Sequence, residues 1–299
     1  MRNPQTLPKP PWLKIQLPKG ENWQRIAGLT QQLELGTVCQ EANCPNLGEC
    51  WNSGTATFLL LGQICTRACR FCSVQTQGSP PPVDLKEAEK LVASLHSLQL
   101  KYLVLTSVDR DDLPDQGAGQ IASSVSAAHE YDPHLKIELL MPDFQGERNL
   151  IERMADLPLS VLGHNLESVE SKSQEVRDPR CGYDQSLEVL RIIKDHRPDR
   201  ATKSSLMVGF GETKEEVVRA MRDLSQVGVD FLTIGQYLQP HKNKIKVQRY
   251  WTPGEFEELK LEALNLGFKF VASGPLVRSS YKAFELWMER SDAQLSTTP

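Results

Sequence analysis

The sequence CTRACRFC at residues 65–72 places Cys65, Cys69 and Cys72 in the spacing C-x3-C-x2-C, directly after an apolar run at 57–61. Three thiolates from one short loop can hold three irons of a [4Fe–4S] cube and leave the fourth iron without a protein ligand. A structural zinc site is closed by four protein ligands, so zinc would need a further ligand from elsewhere in the chain. A disulfide scaffold does not fit, because three is odd and the chain is long enough to build a core. The loop therefore indicates an iron–sulfur cluster with one open position.

A second set of three cysteines precedes this loop. Cys39, Cys44 and Cys50 have the spacing C-x4-C-x5-C, and Pro45 and Gly48 interrupt the stretch. Thiols spaced in this way cannot share one helix face, so they must converge from a wrapped loop. Convergent thiolates in a reducing compartment indicate metal ligands rather than disulfides.

The composition is typical of a soluble globular protein, with 39% hydrophobic and 24% charged residues among 299. The net charge of −4, from 34 Lys and Arg against 38 Asp and Glu, offers no electrostatic footprint for nucleic acid. The longest apolar stretches are far shorter than the about 20 residues that cross a membrane. The N-terminus lacks an apolar signal-peptide core. We therefore expect a cytoplasmic protein without nucleic-acid or membrane partners. We also expect a monomer, because no pattern in the sequence indicates an oligomer interface.

Strand-like runs alternate with helical patterns from residue 55 onward, which predicts a parallel α/β sheet built from right-handed crossovers. We predict six strands, at about 56–61, 101–106, 135–141, 159–163, 201–208 and 230–235. Helix starts with capping-box spacing are predicted at Asp84 with Glu87, Thr213 with Glu216, and Thr252 with Glu255. Six such units predict a partial, TIM-like (β/α)6 barrel whose reactive end is the C-terminal edge of the strands.

We expect three regions along the chain. Residues 1–53 form an N-terminal extension with the second cysteine set, residues 54–265 form the partial barrel, and residues 266–299 form a C-terminal extension. The first cysteine loop directly follows the first predicted strand, which places it at the reactive edge of the sheet.

The first cysteine loop has the spacing of the radical S-adenosylmethionine (SAM) superfamily, including the aromatic Phe71 before the last cysteine. With both cysteine sets in view, the chain closely resembles the lipoyl synthase family within that superfamily. The motifs that carry this resemblance are CQEANCPNLGECW at 39–51, LTSVDRDDL at 105–113, PDFQG at 142–146, HNLE at 164–167, GQYLQP at 235–240 and RSSY at 278–281.

The resemblance implies sulfur insertion with SAM and two [4Fe–4S] clusters. In this family an octanoyl chain, amide-linked to a lysine of a carrier domain, loses hydrogen at C6 and C8 to two deoxyadenosyl radicals, and the auxiliary cluster gives up sulfur to each carbon radical. The implied carriers are the octanoylated lipoyl domains of 2-oxoacid dehydrogenase E2 subunits or the glycine cleavage H protein. A ferredoxin- or flavodoxin-type electron donor and an iron–sulfur carrier that rebuilds the auxiliary cluster are implied as further partners.

The resemblance also implies ligands. Cys65, Cys69 and Cys72 would hold the SAM-binding cluster. A serine of the RSSY motif would complete the auxiliary set of Cys39, Cys44 and Cys50. We assign it to Ser280, with Ser279 as the alternative, since the sequence does not say which hydroxyl points inward.

Polar residues at strand ends are assigned to SAM by the same resemblance: Thr106, Ser107, Asn165, Glu167 and Arg177. Asn and Glu can meet ribose hydroxyls or an ammonium group, and Arg can take a carboxylate through two parallel hydrogen bonds. The alternative to SAM binding for each residue is a role in a helix cap or in a solvated loop.

Several other residues have two possible roles. The charged run at 109–112 can be a solvated charge run or a salt-bridged floor to the site, and we favour a structural role. We interpret Cys181 as a bystander thiol. His164 can hydrogen-bond backbone or touch substrate, and Lys203 can be a snorkelling surface group or functional. The lysine-rich stretch at 241–247, which departs most from the family pattern, favours an acidic partner or is simply a solvated loop.

Three alternatives to this function remain. A paralogue with the same clusters would serve another carrier or acyl chain. A two-cluster electron-transfer or iron-storage protein would not bind SAM, and a zinc module would hold zinc without sulfide.

Overall fold

The computed structural model describes residues 7–14, 28, 37, 44, 46, 47, 50, 55–98, 100 and 102–280. The strands within these residues are β1 (Thr55–Leu60), β2 (Ile64–Cys65), β3 (Gln75–Thr76), β4 (Tyr102–Ser107), β5 (Lys136–Leu140), β6 (Val161–Gly163), β7 (Thr202–Val208), β8 (Phe231–Gln236) and β9 (Phe270–Gly274). The helices are α1 (Glu87–Leu98), α2 (Ala118–Tyr131), α3 (Arg148–Ala155), α4 (Glu170–Val176), α5 (Tyr183–His196), α6 (Lys214–Gln226) and α7 (Pro253–Asn265).

One parallel sheet dominates the fold, with the strand order β1-β4-β5-β6-β7-β8-β9. Six of these strands confirm the predicted ones within two residues. β9 was not predicted, because its segment had been assigned to the C-terminal extension. Helices connect consecutive strands of this sheet, because parallel strands need crossover connections. The sheet and its helices form the predicted partial barrel. β2 and β3 form a separate two-stranded ladder beside the first cysteine loop.

The two faces of the sheet differ in chemistry, as strand alternation requires. Leu103 and Leu105 of β4 belong to an apolar cluster that includes Ile121 and Val125 of α2. Tyr102, Val104 and Thr106 alternate with them and face the barrel interior, where the Tyr102 hydroxyl donates to Glu138 at 2.9 Å. The helix-facing side therefore carries the apolar core, while polar groups lie inside the barrel.

Two of the three predicted capping boxes form. Thr213 and Glu216 exchange both bonds at the start of α6, and Thr252 and Glu255 do so at α7. The third prediction was wrong.

At that third site the Glu87 carboxylate accepts from the Leu61 amide at 3.1 Å, and the Asp84 side chain accepts from the Lys86 amide. Glu87 therefore ties α1 to the loop after β1 instead of capping its own helix. Among the described helices, none combines the length and apolar character needed to cross a membrane.

Candidate active site

The first cysteine loop lies where β1 ends, at the C-terminal edge of the sheet. Thr66 anchors it to the end of β4, since its amide and its hydroxyl both donate to the Asp109 carbonyl at 3.0 Å. The Gln77 amide donates to the Cys65 carbonyl at 3.0 Å and closes the loop on itself. The sheet thus presents all three cysteines of this loop at its reactive edge.

Backbone amides act on all three sulfurs. The amides of Arg67 and Asp109 both donate to Cys65 Sγ at 3.4 Å, and the Asp178 amide donates to Cys69 Sγ at 3.3 Å. A backbone hydrogen bond from Val74 lowers the pKa of Cys72. Amides in this arrangement stabilise thiolate sulfur. The donor set and its half-buried position fit a cluster held by three cysteines.

Burial is the largest cause of the pKa shifts of Cys65 and Cys72. It raises the pKa of Cys65 to about 12, and the nearby charge of Asp109 adds to the effect. The pKa of Cys72 is raised chiefly by burial, to which the charge of Glu167 adds and which the charge of Lys244 opposes. The pKa of Cys69 is raised by its hydrogen bond with Cys181 and by burial. The free site therefore holds neutral thiols, and ligand formation must release their protons.

Arg67, between the first two cysteines, is the electrostatic centre of the site. Its side chain is 1% exposed and forms ion pairs with Asp111 and Asp143, both at 2.7 Å, and with Asp109 at 3.5 Å. Burial raises the pKa of Asp109 to about 6, although the Arg67 charge opposes that shift. These contacts show that Asp109 and Asp111 belong to a salt-bridged floor, as interpreted from the sequence. Sequence reasoning missed the role of Arg67, whose signal was a basic residue inside the cysteine spacing.

The five residues assigned to SAM occupy different environments. Thr106 and Ser107 end β4 on opposite faces, Thr106 toward the barrel interior and Ser107 toward the helices. Asn165 Nδ2 donates to Glu167 Oε1 at 3.0 Å, and the charge of Glu167 acts on Cys72. The structure therefore brings Glu167, and Asn165 with it, to the cysteine loop.

Arg177 is buried beneath this edge. Its Nη1 donates to the carbonyls of Leu166 and Gly182, both at 3.3 Å, and to Ser186 Oγ at 2.8 Å. These three bonds give Arg177 a part in joining the end of α4 to α5.

His164 and Lys203 both have structural partners. His164 Nδ1 lies 3.1 Å from the Met141 carbonyl and its Nε2 lies 3.0 Å from Ser186 Oγ. Burial lowers the pKa of His164 to about 4, so the imidazole is neutral. Lys203 lies within β7, buried, and its Nζ pairs with Glu138 at 2.7 Å. The interpretation of Lys203 as a snorkelling surface group was wrong, because the strand directs it into the barrel.

The second cysteine set meets the C-terminal segment. Asn46 Nδ2 donates to the Leu276 carbonyl at 2.6 Å, and the charges of Cys44 and Arg278 interact. Burial raises the pKa of Cys44 and lowers that of Arg278. Cys50 is tied to the same turn, because its amide donates to the Asn46 carbonyl at 2.9 Å.

Ser279 and Ser280 are half-buried directly after Arg278, whereas Cys39 lies outside the described residues. The fold thus brings the RSS segment to the second cysteine set.

The lysine-rich stretch, called the basic loop (residues 241–247) from here on, packs on the first cysteine loop. Lys244 Nζ donates to the Cys69 carbonyl at 3.4 Å, and the Ile245 amide donates to the Arg70 carbonyl at 3.1 Å. The Tyr237 hydroxyl donates to the Ile245 carbonyl at 2.7 Å and fixes the basic loop to β8. The basic loop is therefore an ordered part of the mouth of the site.

Comparison with known proteins agrees with this geometry. The model of the radical SAM superfamily matches residues 59–224, and that of the N-terminal domain of lipoyl synthase matches residues 1–44. The lipoyl synthase of Ectopseudomonas mendocina (strain ymp) is 50% identical over 276 residues, covering 92% of this chain and 79% of that protein. The chain belongs to the lipoyl synthase family. It has the activity of that family, as a radical SAM, iron–sulfur enzyme of lipoate biosynthesis.

Other lipoyl synthases are similar to a comparable degree. That of Halorhodospira halophila is 50% identical, with 92% of this chain and 82% of the relative covered. The mitochondrial lipoyl synthase of Bos taurus is 47% identical, with 96% and 79% covered. Lipoyl synthases named as mitochondrial and, in Zea mays, as chloroplastic are among the relatives. The family therefore spans several compartments, and a cytoplasmic location stays a prediction.

Solved structures share the fold at low sequence identity. The FeFe-hydrogenase maturase HydG from Carboxydothermus hydrogenoformans superposes with a TM-score of 0.56 at 14% identity, covering 90% of this chain and 78% of that one. Methylornithine synthase (PylB) superposes with a TM-score of 0.54 at 11% identity, covering 90% and 92%. These likenesses confirm the predicted partial barrel.

Proposed function

We propose that this chain binds two [4Fe–4S] clusters and inserts two sulfur atoms, at C6 and C8, into an octanoyl group on a carrier lysine. The supporting observation is the first cysteine loop, whose three thiols lie at the reactive edge and each receive a backbone hydrogen bond. When bound, SAM and its cluster supply the radical that unactivated C–H bonds require, and the auxiliary cluster supplies sulfur. The reductant, of ferredoxin or flavodoxin type, and the iron–sulfur carrier are proposed on resemblance alone.

The residues in and around the first cysteine loop bind two different groups, the irons of the cluster and SAM. Cys65, Cys69 and Cys72 each ligate one iron after losing a proton. Glu167, held by Asn165, offers a carboxylate to the ammonium or ribose of SAM next to Cys72. The protein thereby positions SAM at the open iron.

The auxiliary cluster is assigned to Cys39, Cys44, Cys50 and Ser280. Arg278 supports this assignment, because it places a guanidinium beside Cys44, where the bound assembly is anionic. A hydroxyl oxygen is a weaker ligand for iron than a thiolate. Weak ligation suits a cluster that must give up its sulfur.

Anaerobic reconstitution tests the assignment. Iron and sulfide are counted, then reductant, SAM and an octanoyl-lysine peptide are added and the peptide is analysed by mass spectrometry. Cys69→Ala should abolish both 5′-deoxyadenosine and product, whereas Cys44→Ala should keep SAM cleavage and lose sulfur transfer. Ser280→Ala should lose sulfur insertion. Ser279→Ala is its matched control. Equal effects of Cys69→Ala and Cys44→Ala on SAM cleavage would contradict the division between the clusters.

We further propose that the basic loop binds an acidic face of the carrier domain. The loop holds three lysines and no acidic residue within a chain of net charge −4, and it lies at the mouth of the site. Lys242 and Lys246 are exposed. Complementary charge steers such a domain toward the site and brings its acyl-lysine near the cysteine loop.

The test separates docking from chemistry. Lys242→Glu/Lys246→Glu should raise the KM for an octanoylated carrier domain about tenfold at low salt, because two attractions become repulsions. Its kcat on a short octanoyl-lysine peptide should change less than about twofold. Lys136→Glu is the control for reversal of one lysine charge and should leave the KM for the domain unchanged, since Lys136 is exposed at the opposite edge of the sheet. An unchanged KM for the domain would refute docking and leave the sulfur insertion unaffected.

A further inference from the structure

A buried ion pair lies inside the barrel, below the C-terminal edge of the sheet. Lys203 Nζ and Glu138 Oε1 are 2.7 Å apart, and each of the two side chains is 5% exposed. The second carboxylate oxygen of Glu138 accepts from the Tyr102 hydroxyl at 2.9 Å. The two charges therefore neutralise each other in a part of the fold that is largely shielded from solvent.

Stability alone does not account for this pair. Moving two charges out of water is costly, and a well-packed apolar pair of similar size is often as stable or more stable. The opposite face of the same strands is apolar, since Ile137 and Leu139 of β5 and Leu206 of β7 belong to buried apolar clusters. The charges on the inner face therefore indicate a role other than holding the strands together.

The register of the sheet gives the depth of the pair. Thr106 pairs with Leu140, Leu140 with Gly163, and Gly163 with Lys203. Glu138 precedes Leu140 by two residues on the same face, which places it roughly 7 Å farther from the C-terminal edge. The Lys203 side chain starts in the row of residues that end β4, β5 and β6, and its ammonium reaches Glu138 in the next row. The pair thus closes the barrel interior one layer of side chains below that edge.

Half-buried apolar side chains line the inner wall between the pair and the first cysteine loop. Leu140 and Met207 alternate with the core residues of their strands, so both face the interior. Met207 and Phe71 of the cysteine loop pack against the same buried apolar cluster. Gly163 adds no side chain to this wall, and a Cβ there would lie 3.6 Å from Leu140 Cδ1. An apolar chain that enters at the cysteine loop therefore meets apolar side chains first and the ion pair last.

We propose that the ion pair of Lys203 and Glu138 forms the inner end of the acyl-chain site and sets the longest acyl chain that the enzyme accepts. The inference rests on the proposed function, because it takes the substrate to be an octanoyl group on a carrier lysine. That lysine belongs to a separate domain and stays outside the barrel, so the acyl chain enters with its free end first. Lys203 and Glu138 are thus specificity-determining residues.

The chemistry of the reaction explains why the inner end should be charged. C8 is the last carbon of the octanoyl chain, so every further carbon of a longer chain lies beyond the reacting position, against the ion pair. A methylene group there would separate the ammonium from the carboxylate without offering a hydrogen bond in return. Leaving buried charges without their partners is costly, so the site rejects the longer chain.

The ratio of kcat/KM for a decanoyl-lysine peptide to that for an octanoyl-lysine peptide tests this role. Lys203→Ala/Glu138→Gln removes both charges together, because removing one alone would leave the other buried and unpaired. Gln keeps an acceptor for the Tyr102 hydroxyl, and Ala leaves room for two methylene groups. The ratio should rise roughly tenfold or more in this double variant, the range that methylene groups are worth in apolar pockets.

Lys214→Ala/Glu258→Gln is the matched control, because it makes the same two substitutions in an exposed ion pair between α6 and α7, where the two groups are 2.8 Å apart. Its ratio should equal that of the native chain. Urea unfolding shows whether each double variant is folded. An unchanged ratio in folded Lys203→Ala/Glu138→Gln would overturn the inference.

A second measurement uses the native chain and does not depend on the stability of a variant. Sulfur insertion into the decanoyl peptide should be at least about tenfold slower than insertion into the octanoyl peptide. Equal rates on the two peptides would overturn the role of the ion pair and leave the proposed function intact. Failure of the native chain to insert sulfur into the octanoyl peptide would instead overturn the proposed function itself.

Discussion

Gly235→Ala, which adds one methyl group to β8, should remove the proposed auxiliary cluster and leave the proposed SAM-binding cluster in place. A Cβ atom at Gly235 would lie 2.1 Å from the Val277 carbonyl oxygen and 3.0 Å from its carbon, so Gly235→Ala requires the two segments to separate by roughly 1 Å. Asn46 donates to the Leu276 carbonyl at 2.6 Å, and a displacement of that size stretches this bond beyond hydrogen-bonding distance. The segment that carries Arg278 should therefore withdraw from the second cysteine set.

The expected cost is about 1–3 kcal/mol in the free energy of unfolding, as is usual for an overpacked site. Iron in the reconstituted chain should fall from about eight to about four atoms, with 5′-deoxyadenosine formation kept and sulfur insertion lost. Iron and sulfide analysis, urea unfolding and peptide mass spectrometry measure these quantities. Gly254→Ala is the matched control, because its Cβ would meet nothing nearer than Thr252 Oγ1 at 4.0 Å. Native iron content and native sulfur insertion in Gly235→Ala would refute the reasoning.

Three further changes test the supporting contacts. Arg67→Lys should destabilise the chain by about 3 kcal/mol in urea unfolding and impair iron retention, because one ammonium cannot serve three carboxylates; native iron retention would contradict this. Burial lowers the pKa of His164 to about 4, so the unfolded chain binds the proton first as pH falls from 6.5 to 4. The free energy of unfolding of the native chain should therefore fall by about 3 kcal/mol over this pH range, and that of His164→Gln should not. Parallel unfolding curves of native chain and His164→Gln at both pH values would contradict that sign. Glu212→Gln should cost about 2 kcal/mol, since the Glu212 carboxylate accepts from the Trp251 indole at 2.9 Å and from two backbone amides; Trp251 fluorescence during unfolding measures the loss, and Glu258→Gln is the exposed control.

Much of the fold could be predicted from the sequence because its signals are local. Apolar runs such as that of β4 and capping pairs such as Thr213 with Glu216 involve neighbours in the chain, and the structure confirms them. β9 was missed because its short run lies in a segment that had been set apart by its terminal RSSY motif. The capping box at Asp84 was wrong because Glu87 found a tertiary partner in the Leu61 amide.

The sequence by itself determined the cysteine spacings, the order of strands and helices and the family, since all three are properties of residues close together in the chain or of motifs read in order. Only the tertiary structure decided which distant groups meet. Arg67 meets Asp143 across 76 residues, Cys69 meets the turn of Cys181, and Asn46 meets Leu276 across 230 residues. Such contacts depend on how crossovers and loops place strand ends beside one another, and the periodicity of a single segment does not contain that information.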